Sequence, residues 1–289
     1  MKVLFIFSEG PHDVAFIKLV LESCCNIKHE KSAKILDFPE PLNSIFIQRM
    51  KDHAMGDLTL DMVHKFLLPN HVFKTDTHFI MLFNSGGMTN YSYVKQILSQ
   101  IIQKIKDHDS SFKFSENDIS CLFTYDADYR NSQERVNEIK KQLFPITVND
   151  AYPEDWETLE KSPGVLLDSE NKSVHFYIWS NNGYSGTLED ILLKIYHKKN
   201  SVLMENSTTF INKNFSENFK YTDEITERNI AIKANKLKAC ITVAGQGKKP
   251  SRPLTAIIAD NVLADKESFI SDEEVIKFSK FLKKIIDDK

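Results

Sequence analysis

The chain has 289 residues, 42% hydrophobic and 27% charged, with nine glycines and nine prolines, the balance of a soluble globular protein. No apolar run approaches the roughly 20 residues needed to span a membrane, and the short N-terminal apolar run lacks a signal-peptide cleavage site. A cytoplasmic protein without membrane contact is therefore expected. A formal net charge of -3 and a pI near 6.3 exclude a globally basic nucleic-acid binder.

In chain order, residues 2–8 read as a buried strand, and 12–25 as a helix with Phe16, Leu19 and Val20 on one face. Residues 36–76 read as an insertion with two helices, near 43–54 and 58–68, separated by Met55-Gly56-Asp57. "HFIMLF" (78–83) reads as a second strand, closed by Asn84-Ser85-Gly86-Gly87. Tyr91 to Asp107 places Val94, Ile97, Leu98, Ile101, Ile102 and Ile105 at helical spacing. "ISCLFTY" (119–125) is the next strand and ends on Asp126. Arg130 to Leu143 reads as a polar-faced helix. Residues 164–180 read as two strands around a turn at 169–172, followed by the loop Asn181–Gly186 and a helix from Leu188 to Tyr196.

The stretch 200–230 is polar and reads as loop or irregular helix, and 231–289 as at least two helices, one near 272–287. Strands alternating with helices predict an α/β fold, a mostly parallel sheet with helices on both faces. Of the four cysteines, Cys24 and Cys25 are adjacent, and Cys121 and Cys240 lie in apolar segments. None has zinc-ligand spacing, so buried free thiols are expected.

The chemistry concentrates at strand ends. In an open parallel α/β sheet, ligands bind beyond the carboxyl ends of the strands, where strand order reverses. Glu9 follows the first strand, and Asp126 and Asp128 follow the strand at 119–125. If those strands are neighbours, three carboxylates converge and repel one another. A divalent cation removes the conflict, since Mg²⁺ takes one or two protein carboxylates with waters and a substrate phosphate. A single acid after a strand is more often a helix cap, and Asp13 by itself reads as a first-turn acid on its helix dipole.

"SEGPHD" (8–13) together with "TYDADY" (124–129) resembles the Toprim domain of primases, topoisomerases and small nucleases, and "NSGG" (84–87) fits its glycine turn. The resemblance covers 1–200 as a Toprim-like, Rossmannoid catalytic domain with 36–76 as its helical insertion. Residues 201–289 would form a basic, helical C-terminal extension on the same domain. It implies Mg²⁺ or Mn²⁺, one or two ions, with Glu9, Asp13, Asp126 and Asp128 as ligands. Glu9 would be a ligand or the general base.

"GTLEDILLKI" (186–195) further resembles the T-L-E segment of Toprim nucleases of the overcoming-lysogenization-defect type. That likeness implies Glu189 as ligand of a second ion and a later lysine on the phosphate. Seven basic residues and no acid occupy 228–259. Lys238, Lys248 and Lys249 are the lysine candidates, with Lys238 the catalytic choice and Arg252 a further phosphate contact.

The resemblance implies a metal-dependent nuclease on DNA or RNA, of the kind that serves as a phage-defence or RNA-processing effector. No G-x-x-x-x-G-K-[ST] is present, so an ATPase would have to be a separate chain. Two rivals stand beside it: a non-catalytic Toprim-like module regulating a partner ATPase, and a D-x-D nucleotide-sugar transferase. The transferase leaves Glu9 and Glu189 unexplained.

Overall fold

The computed structural model describes residues 1–53, 68–87, 91–106, 119–143, 164–169, 172–181 and 184–287. The helix expected near 58–68 falls almost wholly outside them. A six-stranded sheet is built from β1 (Lys2–Ser8), β2 (His71–Lys74), β3 (His78–Asn84), β4 (Ile119–Asp126), β5 (Gly164–Ser169) and β6 (Lys172–Trp179), in the order β2-β3-β1-β4-β6-β5. The four inner strands run parallel, and β2 and β5 are antiparallel edges. The chain passes from β1 to β3 on one side and then to β4 on the other. The β1–β4 junction is therefore the point where strand order reverses.

The inner strands are dominated by apolar residues because both their faces are covered. On one face Leu4, Ile6, Ile80, Leu82, Leu122, Tyr177 and Trp179 meet α1 (Pro11–Ser23), the first half of α5 (Leu188–Phe215) and the C-terminal helices. On the other, Val3, Phe5, Phe7, Met81, Phe83, Phe123, Phe176 and Ile178 meet α2 (Leu42–His53), α3 (Tyr91–Lys106) and α4 (Ser132–Leu143). The alternation follows the two-residue period of a strand. Phe83, Phe7, Phe123 and Phe176 lie side by side in register, with neighbouring ring centroids 5.2–5.5 Å apart. This aromatic row braces the sheet just beneath its carboxyl edge.

The remaining helices are α6 (Glu227–Lys248), α7 (Leu254–Ala259), α8 (Lys266–Ile270) and α9 (Glu273–Asp287). They share one core with α1 and α5: α6 lies along α5, α7 packs on α1, and Phe278 of α9 packs against Phe16, Tyr177 and Trp179.

Two expectations are sharpened. Of the stretch 200–230, read as loop or irregular helix, α5 takes the part to Phe215, with a break at Asn200 (φ -129°, ψ 52°), and irregular chain begins after Phe219. Only Met204, Ser207 and Ile211 are buried beyond that break, so the apolar stripe is too narrow to show. The insertion also holds more than helices, because β2 adds an edge strand to the sheet. Among the described residues, no helix is long and apolar enough to cross a membrane. All four cysteines are free; Cys121 and Cys240 are buried, while Cys24 and Cys25 are only half-buried.

Candidate functional site

The loops after β1, β3, β4 and β6 gather at one sheet edge. Glu9 follows β1 directly, and its N–H donates to the Thr124 carbonyl (3.2 Å). Its carboxylate reaches across the junction, where Oε2 accepts the Asp126 N–H (3.2 Å). The Asn84-Ser85-Gly86-Gly87 turn closes over the same end, the Gly87 N–H donating to the Glu9 carbonyl (2.9 Å). Gly86 and Gly87 have φ of 80° and 117°, a left-handed region that glycine enters without strain.

Asp13 caps its own helix. Pro11 supplies the preset φ at the helix start, and Asp13 Oδ2 accepts the Gly10 N–H (3.0 Å). The other oxygen, Oδ1, is buried without a hydrogen-bond partner. Asp126 closes β4 and caps a different helix, Oδ1 accepting the Leu188 N–H (2.8 Å) at the start of α5. Asp128 sits in the left-handed region (φ 55°), where it and Gly186 exchange two backbone hydrogen bonds of 2.9 Å. At Gly186 a Cβ would stand 3.0 Å from the Asn181 backbone nitrogen. This tie draws the β6–α5 loop onto the D-x-D turn and delivers Glu189 to the other acids.

Glu189 is almost fully enclosed (2% exposed). Its Oε1 meets His12 Nδ1 at 3.3 Å and Lys238 Nζ at 3.6 Å, while Oε2 is buried with no partner. On the opposite flank lies Arg135, a residue of α4 with a wholly buried side chain. Its Nε donates to the Asp126 carbonyl (2.9 Å), Nη1 to Glu138 (2.8 Å) and Nη2 to Asp128 Oδ2 (3.0 Å), and Nη2 stands 3.6 Å from Glu9. Arg130 also pairs with Glu138 (3.4 Å).

The electrostatics follow this layout. Burial, with the charge of Asp128, raises the Glu9 carboxyl to about 7 against the pull of Arg135. Burial raises Asp13 and Asp126 well above the usual carboxylate range, reinforced by Glu9 and, for Asp13, Glu189. Asp128 is raised by burial, with Arg135 opposing. Glu189 is the exception. Burial pushes it up too, but the His12 hydrogen bond and Lys238 outweigh that and hold it low. Burial would lower Lys238, yet Glu189, Asp126, Asp13 and Glu9 together hold it above its ordinary value.

Thus Glu9, Asp13, Asp126, Asp128, Glu189 and Lys238 share one region. Lys248, Lys249 and Arg252 do not. They are exposed at or beyond the far end of α6, with Lys249 against Asp260 (3.6 Å). Ten residues of helix separate Lys248 from Lys238, about 15 Å. Tyr125 is fully buried and donates to Ser85 Oγ (3.1 Å), which makes it a packing residue. Tyr129 carries the Arg130 guanidinium over its ring at 4.3 Å.

Arg135 was not foreseen. One basic residue in a polar-faced helix looks solvated, and the only hint is its place seven residues after Asp128. His12 lies within "SEGPHD" (8–13), but nothing in the sequence points to its partner Glu189.

Could these residues hold a divalent ion? Among the described residues, no three His, Cys, Asp or Glu side chains stand together as a ready coordination shell. The donor chemistry does fit a hard cation: the free atoms are carboxylate oxygens, and Asp13 Oδ1 and Glu189 Oε2 are buried without partners. Mg²⁺ needs only one or two such oxygens when waters and a phosphate complete its shell.

Comparison with known proteins gives two matches. Residues 2–287 match a family described as "Protein of unknown function (DUF3226)". The crystal structure of a hypothetical protein from Pyrococcus horikoshii OT3 superimposes with a TM-score of 0.51 at 13% identity, covering 99% of this chain and 96% of that one. That likeness extends to the fold alone. No curated protein matches the chain.

Proposed function

The chain belongs to the DUF3226 family, and we propose that it is a Toprim-like, metal-dependent nuclease hydrolysing phosphodiester bonds of DNA or RNA. One observation carries the reading. Buried Asp13, Asp126 and Glu189, with the half-buried Glu9 that follows β1, gather at the strand-order reversal, and two of their oxygens have no partner. Burying unpaired carboxylates is costly, and perturbed acids gathered at one edge mark functional sites.

In this reading Glu9, Asp13, Asp126 and Glu189 supply the oxygens that would hold Mg²⁺ or Mn²⁺. Such an ion, when bound, supplies Lewis acidity toward a phosphoryl oxygen and the attacking water. The remaining work falls to the chain. Arg135 fixes Asp128 and the Asp126 carbonyl, which sets the aim of Glu9 and Asp126. Lys238 presents a fixed ammonium for charge that grows on the scissile phosphate, a group already oriented before reaction. The protein is taken to work in the cytoplasm.

The test is cleavage of labelled single- and double-stranded DNA, total RNA and tRNA with Mg²⁺, Mn²⁺ or chelator. Cleavage that needs metal and is lost in Asp126→Asn, with unchanged circular dichroism, is the expected result. Absence of cleavage in every arm, repeated in lysate, together with absence of Mn²⁺ binding, would overturn it.

A second reading has its own support. Arg135 already engages Asp128 and lies close to Glu9, as it could in a non-catalytic module that regulates a separate ATPase. Tight, metal-independent capture of an ATPase, without cleavage, would favour that reading.

A further inference from the structure

We infer that this site takes one divalent ion rather than two, because the Lys238 ammonium already pairs with Glu189, the acid that would hold the second. The inference rests on the metal-dependent reading above and departs from the two-ion arrangement that the T-L-E resemblance implies.

The two flanks of the site are already supplied with cations by the fold. On one flank Arg135 bonds Asp128 at 3.0 Å and lies 3.6 Å from Glu9. On the other, Glu189 Oε1 is shared between His12 Nδ1 at 3.3 Å and Lys238 Nζ at 3.6 Å. These contacts come from three different helices, α4, α1 and α6, so they are set by the packing of the whole domain. A second ion on Glu189 would have to displace the ammonium or sit beside it.

The middle is different. Asp13 and Asp126 each use one oxygen on a backbone N–H, at Gly10 and Leu188. Neither has a side-chain cation bonded to it among the described residues. Asp13 Oδ1 and Glu189 Oε2, both on side chains more than nine-tenths buried, are left without partners. Glu138 is matched by Arg130. Five carboxylates (Glu9, Asp13, Asp126, Asp128 and Glu189) then face two fixed cations, Arg135 and Lys238. That leaves about three negative charges when all are ionised. One divalent ion would leave about one negative charge and two about one positive, and that positive excess would lie beside an ammonium and a guanidinium already paired with the acids.

The experiment is a Mn²⁺ titration of the full chain without nucleic acid. Bound ion is counted by loss of the free Mn²⁺ electron-paramagnetic-resonance signal and by calorimetry. The parent should bind one Mn²⁺ per chain with an uncoupled spectrum. Lys238→Met should bind two, with spin coupling between them, because Glu189 is released. Lys233→Met, which removes an ammonium paired with Asp190 instead (2.6 Å), should stay at one.

Two coupled ions in the parent would overturn the inference and leave the metal-dependent reading standing. No ion in the parent would overturn both. A folded Lys238→Met that still binds one, or a Lys233→Met that also binds two, would overturn the role given to Lys238. Should Lys238→Met fail to fold, the parent stoichiometry decides.

Discussion

Replacing Arg135 by methionine keeps the length of the side chain and removes its charge. The guanidinium is wholly buried and bonds the Asp126 carbonyl, Glu138 and Asp128, with Glu9 at 3.6 Å. Breaking a buried charge pair typically costs about 3–5 kcal/mol, because the surviving charge is left uncompensated. Here the survivors keep some water: the side chains of Glu9, Asp128 and Glu138 are 20–26% exposed. The loss should therefore sit at the low end, about 3 kcal/mol. At roughly 2–4 °C per kcal/mol for a domain of this size, that lowers Tm by about 6–12 °C. The assay is thermal unfolding followed by circular dichroism in chelator near pH 8. The deficit should shrink in acid, where Glu9 and Asp128 protonate, and saturating Mn²⁺ should stabilise the variant more than the parent. A variant that melts within about 2 °C of the parent in chelator would refute the view that Arg135 holds these acids together.

Three further outcomes follow from the same geometry. Glu9, raised to about 7, and Asp13 and Asp126, also raised, leave the folded state holding more protons than the unfolded state above pH 4.5. The contribution of these acids to the unfolding free energy must then fall as pH rises toward and through about 7, while His29, His71, His78 and Lys140, lowered by burial, work the other way. The Tm of the parent relative to Glu9→Gln in chelator should therefore fall between pH 5.5 and pH 8, and a constant or rising difference sinks the argument; the low-lying Glu189 matters only in stronger acid. Gly245→Ala would drive a Cβ to 2.3 Å from Ile257 Cδ1, and 2.8 and 3.0 Å from its other branches. Separating α6 from α7 should cost about 1–3 kcal/mol in denaturant melts, and an unchanged midpoint would mean that the helices part freely. Lys248→Gln with Arg252→Gln should lower the slope of log K against log salt for nucleic acid by ~0.7 to 0.9 per lost phosphate contact. An unchanged slope returns both residues to plain solvent exposure.

The parallel inner strands were legible because burial on both faces makes them continuous apolar runs, "VLFIF" and "HFIMLF" among them. β2 was not, since "HVFK" is four residues long, half polar, and becomes a strand only by pairing with β3. The second half of α5 was hidden by the same logic, its polar residues being set by solvent on most of its circumference. At the site, the acids could be read as strand-end residues, but their meeting depended on β1 lying beside β4. That adjacency comes from the strand order and from nothing in either strand. Arg135 was least legible of all, because its burial arises from α4 packing beneath the D-x-D turn.

The carboxylate that closes β1 can now be weighed against the plainest alternative, a helix cap. A cap acid accepts an N–H from its own helix end. At the start of α1 that task is done by Asp13, through the Gly10 N–H. Glu9 turns the other way, to the Asp126 N–H of the neighbouring strand and toward Arg135. Glu9 is a half-buried carboxylate, its side chain 20% exposed, raised to about 7 by desolvation and by the charge of Asp128. Packing alone does not call for a carboxylate there. A carboxylate aimed at the strand-order reversal supports the binding or catalytic edge proposed above.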